Sequence, residues 1–309
     1  MTRLTIVPTP DTGYFGPDSV SRRVIADPAA GVGGIRALFL QALHPRAMAG
    51  VAQHSNFADD FWPRLRRTAE YVTTIAFGTT VQADAAAARV RTVHRSVRGI
   101  DGVTGLPYAA DDPDLLRWVH VTEVSSFLDT ARRGGLRLTD HEADEFYAEQ
   151  VTAAGLLGGT GIPASRAEVA EYLAGVRPQL LASSVAREAA LRLALPPMRL
   201  RVQLLTPARP AWAGVAALAY SLLPAWARRC YGLPGLPGTE LAATVALRGL
   251  RAAVLALPPS LTTPRHQPGA QPHDRRHGNT GGDHGGLGQL HQNRTPSRSR
   301  IAGGPIAAR

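Results

Sequence analysis

The stretch Pro113–Gly135, PDLLRWVHVTEVSSFLDTARRGG, decides the fold class. A proline at its start costs a helix nothing, because first-turn N–H groups have no intrahelical partner, and paired glycines at its end supply a stop. Between them Leu116, His120, Glu123 and Phe127 recur at helical spacing, so one face of a long helix carries two apolar and two ionisable side chains. The pattern extends on both sides. Asp59, Asp60 and Pro63 open a helix that runs through Leu65, Thr68, Val72 and Ile75 to Gly78; another begins near Asp84 and repeats Val90, Val93, His94 and Val97 before Gly99. Downstream, Thr139 with Glu142 and Ser165 with Glu168 are capping boxes, each opening a further helix. Five helices in succession without a strand pattern predict an all-α fold. Beyond Pro196, breaks at Pro207, Pro210, Pro224, Pro234, Pro237 and Pro258 predict short packed helices.

The chain has 309 residues, 44% hydrophobic and 19% charged, enough for a real core. Aromatic residues are only 6%, so the core is expected to consist mainly of Ala, Leu and Val, which favours helices over a sandwich. Cys230 is the sole cysteine; this excludes an intramolecular disulfide and a cysteine-based zinc cage and suits a reducing compartment. All 34 basic residues are arginine, and half of the net charge of +10 falls after Pro264, where seven arginines face only Asp274 and Asp283. No aromatic residue interleaves with those arginines and no zinc-finger or helix-turn-helix spacing stands out, which argues against nucleic acid as partner. Residues 265–309 also lack Phe, Trp and Tyr to bury, so they are expected to be a disordered Gly/His/Arg/Pro-rich tail behind one helical domain, 1–264. Near the start, the apolar run Leu4–Val7 is too short for a secretory signal, and a cytoplasmic location is expected. The longest apolar run, Ala211–Trp226, is broken by Pro224 and falls short of the ~20 residues of a spanning helix. Followed by Arg228 and Arg229, it reads as a core helix or as one lying on a membrane surface.

Four histidines of the folded part invite chemistry. His94 sits among three valines, where an imidazole needs a hydrogen-bond partner or a metal to offset its desolvation; a satisfied core histidine is the commoner outcome. His120 and Glu123, one turn apart, suit a ligand or acid/base pair, or equally a contact inside the core. His44 precedes Pro45 at a helix end, where it caps or packs, and His54 follows in the next segment. Arg64, Arg67, Thr68 and Tyr71 share one helix face, which is either a solvated surface or a cradle for an anion, a propionate or a bound oxygen species. The loop Gly31-Val32-Gly33-Gly34 before an apolar helix follows no strand and has no P-loop lysine, so nucleotide phosphates are discounted.

Several strings stand in a fixed order: Leu40-Gln41-x-x-His44-Pro45 with Gly50-Val51-x-x-His54-Ser55, Arg64-x-x-Arg67-Thr68, Val93-His94-x-x-Val97-Arg98-Gly99, Tyr108-x-Ala110-x-Asp112-Pro113 and Trp118-Val119-His120-x-Thr122. Order and spacing closely resemble the MpaB-type oxygenases, whose relatives include the rubber oxygenases or latex-clearing proteins. The resemblance covers roughly residues 20–264, including Leu222-Leu223-Pro224 followed by Arg228, and is densest from Leu40 to Thr122. It implies an all-α protein holding haem b between helices and using dioxygen on an isoprenoid-like double bond. By this resemblance His94 is the axial iron ligand, with Arg98, His44 and His120 as further cofactor-binding residues and Arg64, Arg67 and Thr68 on the distal side.

The chain departs from those relatives at two points. Their distal string is Arg-x-x-Lys-Thr, whereas here Arg67 replaces the lysine; a guanidinium stays charged and ligates iron poorly, so Arg67 is expected to hydrogen-bond an oxygen species or water instead. Where they carry an upstream acidic base, this chain has Met48, and no acid lies between Arg36 and Phe57. The expected activity is therefore a haem-b oxygenase or peroxygenase acting on a small or lipid-like apolar substrate with O₂ or peroxide. Two alternatives stay open: a non-catalytic lipid- or membrane-surface-binding protein using Ala211–Trp226, and a non-haem metal oxidoreductase using His44, His54 or His120 with Glu123.

Overall fold

Side-chain oxygens placed just before apolar stripes mark where six of the helices begin, at Ser19, Thr79, Asp112, Thr139, Ser165 and Ser183. The computed structural model describes residues 11–54 and 60–258, and residues 265–309, expected as a disordered tail, lie outside the described residues. In chain order the elements are α1 (Val20–Ile25), α2 (Ala29–Gln41), α3 (Pro45–His54), α4 (Phe61–Phe77), α5 (Thr80–Ser96), β1 (Arg98–Ile100), β2 (Pro107–Ala109), α6 (Pro113–Gly134) and α7 (Asp140–Leu156). There follow α8 (Arg166–Val176), a 3₁₀ turn at Arg177–Gln179, α9 (Ser184–Ala194), α10 (Leu200–Leu205), α11 (Ala208–Ser221), α12 (Ala225–Cys230) and α13 (Thr239–Leu255). The fold is all-α, with thirteen α-helices among the described residues, as the periodicity predicts.

The local signals explain most boundaries. The Asp112 carboxylate accepts from the Asp114 N–H to start α6, and Gly135, at φ +105°, ends it in a left-handed conformation that favours glycine. Thr139 and Glu142 form the expected reciprocal box at α7. At α8 the Ser165 hydroxyl accepts from Glu168 N–H, but the Glu168 carboxylate takes the Ala164 N–H instead of closing the box. Helix α5 begins earlier than Asp84 because Thr79 and Gln82 make a capping box of their own. It also ends before Gly99. Arg98–Ile100 pairs antiparallel with Pro107–Ala109, so a short hairpin replaces the strand-free loop the sequence suggests. Asp101 closes its turn by accepting from the Val103 and Thr104 N–H groups and the Thr104 hydroxyl.

A second correction concerns Gly31–Gly34, which is not a loop but the first half of α2. A Cβ on Gly33 would lie 2.5 Å from Thr130 Oγ1 and 3.0 Å from the Ser126 carbonyl oxygen of α6. Only glycine lets the two backbones approach that closely.

Around this seam lies the larger core, with Leu40, Leu43, Trp118, Leu222, Leu223 and Leu247 essentially removed from water. Each such side chain contributes roughly 1.5–3 kcal/mol of burial. A second cluster joins Val24 of α1, Val121 of α6, Phe146 of α7 and Val169 of α8. Two arginines are buried with them. Arg36 donates to the Leu222 carbonyl (3.0 Å) and Ser126 Oγ (2.7 Å) and pairs with Asp129 (3.4 Å). Arg228 donates to the carbonyls of Ser221, Leu223 and Pro234 and pairs with Glu240, so the Leu222-Leu223-Pro224…Arg228 string is a structural joint. Pro224 splits the Ala211–Trp226 run between α11 and α12, and Ala216, Ala219, Leu222 and Leu223 from it are core. Among the described residues no helix is long and apolar enough to cross a membrane.

Candidate functional site

Helix α4 packs against α5 and, with α3, α6, α7 and α9, leaves a cavity of about 480 Å³. That volume lies in the range of cofactor and small-molecule sites. Along α4 the cavity is lined by Asp60, Arg64, Arg67, Tyr71 and Ile75, a run of about 22 Å at the helical rise. Val51, Phe61, Val72, Leu116, Val119, Val124, Phe127, Leu157 and Leu193 supply apolar wall.

His94 stands on this wall, in the last turn of α5. Its imidazole makes no hydrogen bond among the described residues, and burial lowers its pKa, against a weaker opposing pull from Asp111. It is neutral at physiological pH and keeps a free lone pair. The valine stripe around it is divided: Val93 is 59% exposed and lines the cavity, Val97 lines it while packing on the Ala49, Tyr108 and Leu115 cluster, and Val90 does not reach it.

The remaining sequence-derived residues divide. Arg64, Arg67 and His120 line the cavity. Arg67 forms an ion pair with Asp60, and desolvation pushes the Arg64 guanidinium down from its ordinary range. Thr68 is exposed and donates to the Arg64 carbonyl of its own helix at 3.1 Å, so it is not on the cavity wall. Arg98 is also off the wall, spent on Asp111 at 2.7 Å and the Arg95 carbonyl. His44 is buried beside Trp118 instead, its Nδ1 without a partner and its pKa brought down to about 4, chiefly by desolvation and then by Arg46. His54 lines the cavity and bonds the Arg98 carbonyl at 3.0 Å.

Two poles result. On α3 the cavity is lined by Arg46, held by Asp112 at 3.3 Å, and on α4 by the adjacent cations Arg64 and Arg67. Toward α7 it meets Glu123, Tyr71, His120 and Gln150. Burial raises the Glu123 carboxyl to about 7 and lowers His120 to about 4. Burial, and then the Glu123 charge, pushes the Tyr71 phenol up. Glu123 makes no hydrogen bond or ion pair among the described residues, and His120 Nε2 is enclosed without a partner. The sequence points to His120, Glu123 and Tyr71 but not to Gln150, whose neighbours carry no signal of a site, nor to Arg46, although it directly follows His44-Pro45.

Among the described residues no three His, Cys, Asp or Glu side chains converge as metal ligands, so the non-haem set of His44, His54 or His120 with Glu123 is not assembled. Among the described residues the cavity offers the unpartnered imidazole of His94, a second unpartnered ring nitrogen on His120, guanidinium groups and apolar walls. No curated protein and no solved structure matches the chain. A family model does, across residues 22–256, described as the catalytic domain of the ER-bound oxygenase mpaB/B' and rubber oxygenase. That span takes in α2 to α13 and every wall of the cavity, and on it the chain belongs to the mpaB/rubber oxygenase catalytic-domain family.

Proposed function

We propose that this oxygenase-family chain uses haem b to oxidise a small apolar substrate with dioxygen or peroxide. The observation that carries the reading is His94, an imidazole with no hydrogen-bond partner among the described residues, on the wall of a mainly apolar cavity. The residues fit the group. A neutral imidazole on a helix could hold the haem iron, because no proton competes for its lone pair. Arg46, Arg64 and Arg67 suit the haem carboxylates or an anionic oxygen species, since guanidinium groups donate in a fork that matches both. Haem iron, when bound, supplies dioxygen activation.

The chain's own groups do the rest. Val51, Val93, Val97 and Leu116 exclude water and hold an apolar substrate against the site. The ion pair to Asp60 fixes the Arg67 guanidinium at the cavity, where it can hydrogen-bond an oxygen atom but not ligate a metal. Thr68 has no part in this reading, because its hydroxyl is turned onto its own helix.

An absorption spectrum with iron analysis of the purified protein tests the proposal. A Soret band with one iron per chain is expected, and His94→Ala should lose most of the haem while keeping its helical circular dichroism. Iron without a Soret band, or full haem retention in His94→Ala, overturns it. Peripheral contact with a lipid surface is a second reading, favoured by the exposed Leu200, Leu205, Leu233 and Leu236 within a stretch, 189–239, that holds six arginines and no acid. Sedimentation with anionic vesicles checks it. The single thiol, Cys230, fits a reducing compartment such as the cytoplasm.

A further inference from the structure

We infer that the Glu123 end of the cavity is a subsite for a hydroxyl group carried by an otherwise apolar substrate. The inference rests on this cavity being the substrate site proposed above. Three side chains on the cavity wall leave hydrogen-bonding capacity unused there. Glu123 has no hydrogen bond or ion pair, and the Tyr71 hydroxyl, on α4 across from it, has no hydrogen bond among the described residues. His120 lies against the Gln150 backbone, and its Nε2 is enclosed with no partner among the described residues, so as the unprotonated ring nitrogen it is open to accept. Unmade bonds at buried polar groups are costly, and a ligand that makes them recovers that cost.

The donor and acceptor pattern selects the ligand. Desolvation holds Glu123 largely protonated below pH 7, so it can donate as well as accept. A hydroxyl matches both needs at once, accepting from the Glu123 carboxyl or the Tyr71 phenol and donating to His120 Nε2. A ketone or ether only accepts and leaves the imidazole unpaired. A carboxylate only accepts and crowds against Glu123. An ammonium only donates, and it meets Arg91, whose charge is close enough to lower the neighbouring Tyr71 phenol. Around the three polar groups Val72, Val124 and Phe127 present only hydrocarbon, which requires the remainder of the ligand to be apolar.

Isothermal titration of the purified chain with 1-decanol, decyl methyl ether, decanoate and decylammonium tests this. Decanol should bind at least about tenfold more tightly than each of the others, ~1.4 kcal/mol. Glu123→Leu should shrink that preference below about threefold while Glu123→Gln, which keeps a neutral donor and acceptor, retains it. Equal binding of all four ligands, tightest binding of decylammonium or decanoate, or an undiminished preference in folded Glu123→Leu overturns the subsite. If Glu123→Leu does not fold, the wild-type ligand series decides alone. Absorbance of the same samples separates the two claims: an alcohol preference without a Soret band supports the subsite and sinks the haem reading, whereas a Soret band without the preference overturns only the subsite.

Discussion

The two sides of α6 treat polar groups in opposite ways. On the side toward α2, Thr122, Ser126 and Thr130 turn their hydroxyls onto carbonyls of their own helix one turn back, and Arg36 finds Ser126, Asp129 and the Leu222 carbonyl. On the side toward the cavity, His120 Nε2 and the Glu123 carboxyl have no protein partner among the described residues. The seam groups are fully buried and His120 and Glu123 half-buried, yet the His120 Nε2 atom is itself enclosed, so exposure alone does not explain the difference. A seam between helices satisfies its own polar groups, whereas a site leaves them for something that is not part of the chain.

The contrast predicts opposite signs for polar deletions on the two sides. Arg36→Met should have the largest effect, a loss of about 3–5 kcal/mol, because it removes a buried guanidinium's hydrogen bonds to Ser126 and the Leu222 carbonyl and leaves Asp129 with Arg133 alone. Urea denaturation measures it, and a loss below 1 kcal/mol would break the comparison.

Glu123→Gln should instead stabilise the protein at neutral pH. A carboxyl whose folded pKa is raised from 4.5 to about 7 imposes a penalty that sets in as pH rises from 4.5 and is complete above 7. Full development of that penalty is roughly 3 kcal/mol. His44 and His120, lowered from 6.5 to about 4, act the other way, since stability is lost as pH falls from 6.5 toward 4. The wild-type profile therefore mixes opposing slopes, and the informative quantity is the difference between wild type and Glu123→Gln. That difference should widen in favour of the variant between pH 4 and 8. Parallel profiles would mean that Glu123 has a partner in the folded protein.

The smallest effects belong to residues outside both faces. Thr68→Ala and Arg98→Ala should each change stability by no more than about 0.5 kcal/mol and leave the absorption spectrum unaltered. A loss of haem in either variant would sharpen the comparison by moving that side chain into the site.

Helix identity was legible in the sequence wherever a cap preceded an apolar stripe, as at Asp112, Thr139 and Ser165. Gly31–Gly34 was misread because glycine serves both flexible turns and close helix contacts, and only the far side of the contact, Thr130 and Ser126, distinguishes them. The hairpin was missed because its strands are three residues each, too short for alternation to register. Periodicity exposes His94 as an oddity without deciding its surroundings, since valines lining a cavity and valines filling a core share one spacing. Thr68 shared a face with Arg64 and Arg67 on paper, yet a hydroxyl can always turn back to the carbonyl four residues earlier.

The closeness of α4 and α5 in the chain also bears on the order of assembly. These two helices are joined by a tight turn at Gly78–Thr79 and can meet while the rest of the chain is unfolded, carrying Arg64, Arg67 and His94 together. The opposite wall comes from α6, whose place against α2 depends on Gly33 finding Thr130 from far along the chain. The side bearing the proposed iron ligand is thus a local, fast-forming unit, and the side bearing the unpaired carboxyl arrives with the slow, long-range step. If haem binds as proposed, its capture can accordingly begin on a half-built protein, before the cavity has closed around it.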